Sequence, residues 1–286
     1  MKKFYDNRCY YFNFEDERLV NFSAADLNDL YETMIEMEGE RKIFFFDEIQ
    51  NIPEWEKFVR RMQDSGNKFF ISGSNAKLLS QELGTKLTGR HITTTLYPFS
   101  FPEFLKFHDI TIEKKLLLDT RKKAAIKKFF NQFLEKGGMP EYIQYGKKEI
   151  LTGVYEDILY KDIVTRYRIK EIKSLRELGL YYMTNIGGQI SYNNLKNILK
   201  LGSINTVKTF TDYLEKSFLI IIINQFSYSL KRQYIAAKKV YCIDHGMAKA
   251  IGWRFSKDHG KLLENIICVE LKRRKKEIFY YKTEKN

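Results

Sequence analysis

Cysteine is scarce. Cys9, Cys242 and Cys268 lie far apart with no C-x-x-C pair, which excludes a disulfide framework and a zinc site of the usual spacing. A reducing cytoplasm is the compartment expected. Long apolar runs are missing too. The longest, Phe218 to Ile223, reads as a buried strand and falls far below the ~18 residues of a spanning helix. The opening Met1-Lys2-Lys3-Phe4-Tyr5-Asp6 meets a charge too early for a signal peptide, so no membrane partner is expected. Only four prolines occur, with no Gly/Ser-rich tract and no internal repeat, which excludes a long flexible linker. The four histidines, His91, His108, His245 and His259, have no ligand spacing and read as loop or packing residues. Finally, no G-x-x-x-x-G-K-[ST] phosphate loop occurs anywhere in the sequence.

What is present suffices for two compact domains: 286 residues, 44% of them hydrophobic. Lys and Arg outnumber Asp and Glu by 49 to 36, a net charge of +13. Such an excess favours a polyanion, nucleic acid first, through counterion release. A Lys-heavy surface that only maintains solubility has the same composition, and charge alone does not separate the two.

Along the chain, Cys9 to Phe14 is aromatic and β-prone, and Leu27, Leu30, Tyr31 and Met34 follow at helical spacing. Lys42-Ile43-Phe44-Phe45-Phe46-Asp47-Glu48 is a continuous apolar run closed by two carboxylates, the pattern of a parallel strand buried on both faces. Trp55, Phe58, Val59 and Met62 mark a helix, and Lys68-Phe69-Phe70-Ile71-Ser72-Gly73-Ser74 a second such strand. The order βαβαβ predicts an α/β sheet with ligands at the strands' carboxyl ends. From about residue 111 the texture becomes helical, with a break at Gly137-Gly138-Met139-Pro140 and a long stretch from Tyr155 to Arg168. Leu175 to Lys216 predicts three short helices. The third opens on Ser203 as N-cap and carries Val207, Phe210 and Leu214 on one face, the form of a recognition helix. Strands at Phe218–Asn224 and Lys239–Ile243, with the basic Leu230-Lys231-Arg232-Gln233-Tyr234 between them, would supply a wing.

The most specific string is Phe44-Phe45-Phe46-Asp47-Glu48-Ile49-Gln50. A hydrophobic strand delivering Asp-Glu into a crevice is the Walker B design, in which Asp47 holds Mg²⁺ through water and Glu48 polarises the attacking water. The plainer alternative is a strand that ends in an acidic turn. A neighbouring strand ending in Ser74 and Asn75 can orient that water and sense the γ-phosphate, and Arg90 in Thr88-Gly89-Arg90 is a candidate arginine finger or a surface loop residue. Outward on the recognition helix would stand Asn205, Thr206, Lys208 and Thr209, with Lys231, Arg232, Lys238 and Lys239 meeting phosphates from the wing. Docking of another protein is the competing use for such a domain. The run Lys272 to Lys276 reads as a solvated turn.

Asp47-Glu48-Ile49-Gln50 with Trp55, Ser72-Gly73-Ser74-Asn75, Thr88-Gly89-Arg90 and Tyr97-Pro98-Phe99-Ser100-Phe101-Pro102-Glu103-Phe104 together resemble the prokaryotic AAA-type ATPases that carry a C-terminal DUF4143 region. The segment from Gly138-Met139-Pro140-Glu141-Tyr142 onward is similar to DUF4143, so the resemblance covers nearly the whole chain. It implies ATP and Mg²⁺ as cofactors. It also implies an α/β parallel-sheet, P-loop NTPase-like domain that lacks its first strand and P-loop. This would span 1–110, with a helical lid or linker at 111–174, a winged helix at 175–250 and a partial restriction-endonuclease-like segment at 251–286. Leu263-Glu264-Asn265 and Phe279-Tyr280-Tyr281-Lys282-Thr283 announce that last segment.

The chain departs from the family pattern twice. The phosphate loop is missing, and the sequence stops at Lys282-Thr283-Glu284-Lys285-Asn286, before the family's Glu-Val-Asp-Phe strand, leaving Glu264 of the nuclease acids. The expectation is therefore a fragment or degenerate ATPase that does not hydrolyse ATP alone, its partner the missing N-terminal piece or a second copy. The alternative is a non-enzymatic DNA-binding winged-helix protein.

Overall fold

The computed structural model describes residues 8–73, 91–111, 120–253 and 259–282. The chain divides into two compact units, 1–94 and 95–286.

The first unit is a three-stranded parallel sheet of β1 (Cys9–Asn13), β2 (Ile43–Asp47) and β3 (Lys68–Ser72), in the order β1-β2-β3. Two helices make the crossovers, α1 (Leu27–Glu38) and α2 (Trp55–Asp64). Trp55, Phe58, Val59 and Met62 recur at helical period on α2, and all four are buried. They share one core with Leu27 and Met34 of α1 and with Phe44 and Phe46 of β2. Each fully buried side chain of this size contributes roughly 1.5–3 kcal/mol.

Burial of β2 on both faces, expected from its continuous apolar run, is not what forms. Phe44 and Phe46 are buried, whereas Ile43, Phe45 and Asp47 are half-buried. Consecutive parallel crossovers of one hand, stepping in one direction across a sheet, put both helices on the same side. The other face is covered less, and there Phe45 stacks on Phe70 of β3 at 4.7 Å.

The second unit begins with α3 (Phe101–Phe107), α4 (Thr120–Lys136), α5 (Pro140–Tyr145) and α6 (Lys148–Asp157). Ser100 and Glu103 form a capping box that opens α3. The helical stretch expected from Tyr155 onward does form, but α6 widens into a π-helical run, Ile158–Thr165. Then come α7 (Ile172–Thr184), β4 (Gln189–Ile190), α8 (Tyr192–Ile198), α9 (Ile204–Lys216), β5 (Ile220–Ile223), α10 (Leu230–Ile235), β6 (Lys238–Cys242), α11 (His245–Ile251) and α12 (His259–Arg273). The three strands form an antiparallel sheet in the order β4-β6-β5. Between β5 and β6 the basic segment expected to separate the two strands of a wing forms the short helix α10. Ser229 caps it, its hydroxyl accepting from Arg232 N–H.

One buried knot ties α4 to α11. Asp244 caps α11 by accepting from Met247 N–H at 2.8 Å, and its other oxygen accepts from Gly138 N–H at 2.6 Å. His245 joins its Nε2 to the Phe133 carbonyl at 2.7 Å, which makes it a packing histidine. Lys272 to Lys276 is not simply a solvated turn. Arg273 is three-quarters buried, donates to the Pro98 carbonyl and pairs with Glu103 and Glu270. Burial pushes the Cys268 thiol up to about 12, so it stays protonated and inert at neutral pH. Among the described residues, no helix is long and apolar enough to cross a membrane.

Candidate functional site

In the first unit the site is built at the carboxyl end of β2. Parallel register sets Asn13 and Ser72 on either side of Asp47. The Ser72 hydroxyl donates to Asp47 Oδ1, and the Tyr11 hydroxyl donates to Oδ2 at 3.3 Å. The carboxylate is thus braced from both neighbouring strands, on the less covered face of the sheet. Partial burial, followed by the Asp47 charge, raises the Tyr11 pKa and keeps that hydroxyl a donor. Glu48 follows with φ 53° and ψ 33°, a left-handed conformation uncommon for a residue with a side chain. Its N–H donates to the Ser72 carbonyl at 3.0 Å, and its carboxylate accepts from Gln50 Nε2. The turn after β2 therefore sends two adjacent carboxylates in different directions.

Asp47 and Glu48 follow one another at the carboxyl end of β2, each carboxylate with its own partners. Ser74, Asn75 and Arg90 lie outside the described residues. Tyr11 and Ser72 were missed as partners of Asp47. Ser72 could have been found from strand register, since it closes the second apolar run; Tyr11, one aromatic among several in its strand, gave no signal. Among the described residues, no group of three or more His, Cys, Asp and Glu comes together. A hollow of about 820 Å³ lies at the carboxyl end of β1, between the loop after that strand and the turn Asn51–Glu54. Glu15, Asp16, Glu17 and Glu54 line it, and neither Asp47 nor Glu48 does.

In the second unit the nucleic-acid candidates fall in two places. On α9, Asn205, Lys208 and Thr209 are exposed, while Thr206 is half-buried with its N–H on the Ser203 cap at 3.0 Å. Val207, Phe210 and Leu214 face the core, as their spacing predicted. Lys231 and Arg232 are exposed on α10. Burial, followed by the charge of Lys208, lowers the Lys238 pKa. Lys239 is otherwise employed: its ammonium is 2.6 Å from Glu264 Oε1, which also accepts from the Tyr241 hydroxyl at 2.6 Å.

Comparison with known proteins gives the first unit a family context. Residues 1–105 match the model of an AAA domain. That family generally binds ATP and Mg²⁺, and the Asp47-Glu48 turn lies within the matched AAA span. Residues 127–257 match a domain of unknown function, DUF8612; a DUF4143 region is not what this match shows. An uncharacterized protein of Methanocaldococcus jannaschii is 37% identical over 296 residues, covering 99% of this chain and 65% of that protein. An uncharacterized protein of Haemophilus influenzae is 29% identical over 273 residues, covering 92% of this chain and 66% of its own length. The chain thus spans slightly less than two thirds of either relative.

Proposed function

We propose that this chain is an ATPase-family polypeptide supplying the metal-and-water half of an ATP site, and that it does not turn over ATP at a useful rate alone. The observation that carries this reading is the Asp47 carboxylate, fixed at the end of β2 by hydroxyls from both flanking strands with Glu48 beside it. Asp47 would hold the waters of a bound Mg²⁺, and Glu48 would polarise the water that attacks phosphorus. Mg²⁺, when bound, neutralises charge on the phosphate oxygens. Ser72 and Tyr11 keep Asp47 oriented, so no reorganisation is needed as charge develops. Ser74, Asn75 and Arg90 complete the proposed set. The residues fit one half of the cofactor only. No G-x-x-x-x-G-K-[ST] in this sequence offers backbone amides, a lysine and a hydroxyl to the phosphates, and phosphoryl transfer depends almost entirely on that grip.

Within this reading residues 1–110 are an AAA core, 111–174 a helical linker, 175–250 a winged helix and 251–286 an endonuclease-like segment. The test is equilibrium binding of a fluorescent ATP analogue with Mg²⁺ to the purified chain and to Asp47→Ala. No micromolar binding is expected from either. Micromolar binding that vanishes in Asp47→Ala would overturn the proposal, because it requires a phosphate cradle elsewhere in the chain.

A second reading, duplex DNA binding through α9, is supported by the exposure of Asn205, Lys208 and Thr209 on that one helix. Lys208→Glu is expected to weaken binding to duplex DNA about tenfold at low salt and to flatten the slope of affinity against salt. Unchanged affinity would remove α9 from consideration.

A further inference from the structure

The excursion between β5 and β6 exposes side chains that a folded core would take in. Tyr228 is 98% exposed, Tyr234 79% and Leu230 68%, and α10 contributes no buried residue. Yet the segment is held in place. Gln233 Nε2 donates to the Ser227 carbonyl at 2.7 Å. Phe226 N–H donates to Tyr280 O at 2.8 Å, and Tyr280 N–H to Asn224 O at 3.1 Å, which lays the chain after α12 alongside. The Phe226 ring packs edge-on against Tyr228 at 5.2 Å and Phe279 at 6.1 Å, and Tyr281, two residues after Phe279, is 74% exposed.

Charge gives this aromatic surface its meaning. From Asn224 to Lys239 the sequence has no Asp or Glu, but it has Lys231, Arg232, Lys238 and Lys239. Glu264 neutralises Lys239 and Glu277 precedes the second segment, so the net sign remains positive. Exposed rings stack on unpaired bases of any sequence, and neighbouring cations hold the phosphates between them. In a duplex the base faces are already stacked on one another and offer these rings nothing.

We propose that the surface formed by Phe226–Ile235 together with Phe279–Lys282 binds single-stranded nucleic acid, with Tyr228 and Tyr234 as stacking platforms and Lys231 and Arg232 as phosphate contacts. Neither the ATP reading nor the α9 reading is needed for it, since Asp47, Asn205, Lys208 and Thr209 are not part of this surface.

The experiment is fluorescence anisotropy of the full chain with a labelled oligothymidylate of about 20 nucleotides and, in parallel, a duplex of the same length. Three proteins are compared: wild type, Tyr228→Ala/Tyr234→Ala and Tyr228→Phe/Tyr234→Phe. Because both tyrosines are exposed, unchanged circular dichroism melting is expected for the variants. The double alanine variant should lose at least about tenfold in affinity for the single strand and much less for the duplex, while the phenylalanine variant keeps wild-type affinity. The proposal is overturned if wild type does not bind the oligothymidylate, or if the alanine variant binds it as wild type does. Competition by inorganic polyphosphate as effective as by unlabelled oligothymidylate would also overturn it. So would a monomer–dimer equilibrium that the alanine substitutions abolish in sedimentation, which would assign the surface to a second copy of this chain.

Discussion

Gly246→Ala is expected to lower the stability of the second unit by about 3 kcal/mol or more, and its melting midpoint by roughly 10 °C. A Cβ at this position would lie 2.0 Å from the Lys136 carbonyl oxygen and 2.6 Å from its carbon. These are main-chain atoms at the end of α4, and no rotamer change relieves them. The backbones of α4 and α11 are this close because Asp244 and His245, just before Gly246, bond Gly138 and Phe133 on either side of Lys136. Gly153→Ala supplies the contrast. It is exposed within α6, and an added Cβ there meets nothing within 4 Å. That change is expected to raise the midpoint by about 2 °C through helix propensity alone. Thermal melts of both variants check the pair, and equal midpoints would show that the close approach carries no energetic weight.

Asn265→Ala is expected to cost about 3–5 kcal/mol, again read as a melting shift or as loss of soluble protein. Asn265 is fully buried and works as a missing rung of the sheet. β4 pairs with β6 only at Lys238 and Lys239, and the backbone of Gly187 and Gly188 continues the pairing at Val240. Beyond that point the Asn265 side chain takes over: Oδ1 accepts from Cys242 N–H and Nδ2 donates to Cys242 O, both at 2.8 Å. Truncation removes partners from a buried donor and a buried acceptor together. The isosteric Asn265→Asp keeps the shape but turns a carboxylate oxygen toward the Cys242 carbonyl. At neutral pH it is expected to be at least as damaging as alanine. If Asn265→Asp folds with wild-type stability, the paired amide contributes nothing.

The sequence made the first unit legible because its parts obey short-range rules. A run of phenylalanines closed by Asp47-Glu48 and the i, i+3, i+4, i+7 spacing of Trp55, Phe58, Val59 and Met62 each specify an element by itself. The one-sided cover of the sheet was not legible, since Phe45 and Phe44 read alike in a string and only crossover geometry decides which is buried. Nor was Tyr11, which meets Asp47 across two strands. In the second unit, Ser203 and the apolar face of α9 were plain, but Lys239 read as a free cation until Glu264 came to lie beside it. Leu263-Glu264-Asn265 was legible only as a resemblance. What Glu264 and Asn265 do here, tying α12 to β6, depends on contacts more than 20 residues apart in sequence.

The half-open face on which Asp47 sits also sets the strength of its field. A unit charge 4 Å away from a carboxylate in bulk water feels about 1 kcal/mol, and several times that once the surroundings are dry. With water still reaching one side, the Asp47 of the proposed ATP site would attract a cation weakly however well Tyr11 and Ser72 aim it. Whatever delivers phosphates to this end of β2 would displace that water. Its arrival would strengthen the pull of the same carboxylate, so that in the proposed ATP reading phosphate binding and cation binding at this end of β2 would reinforce each other.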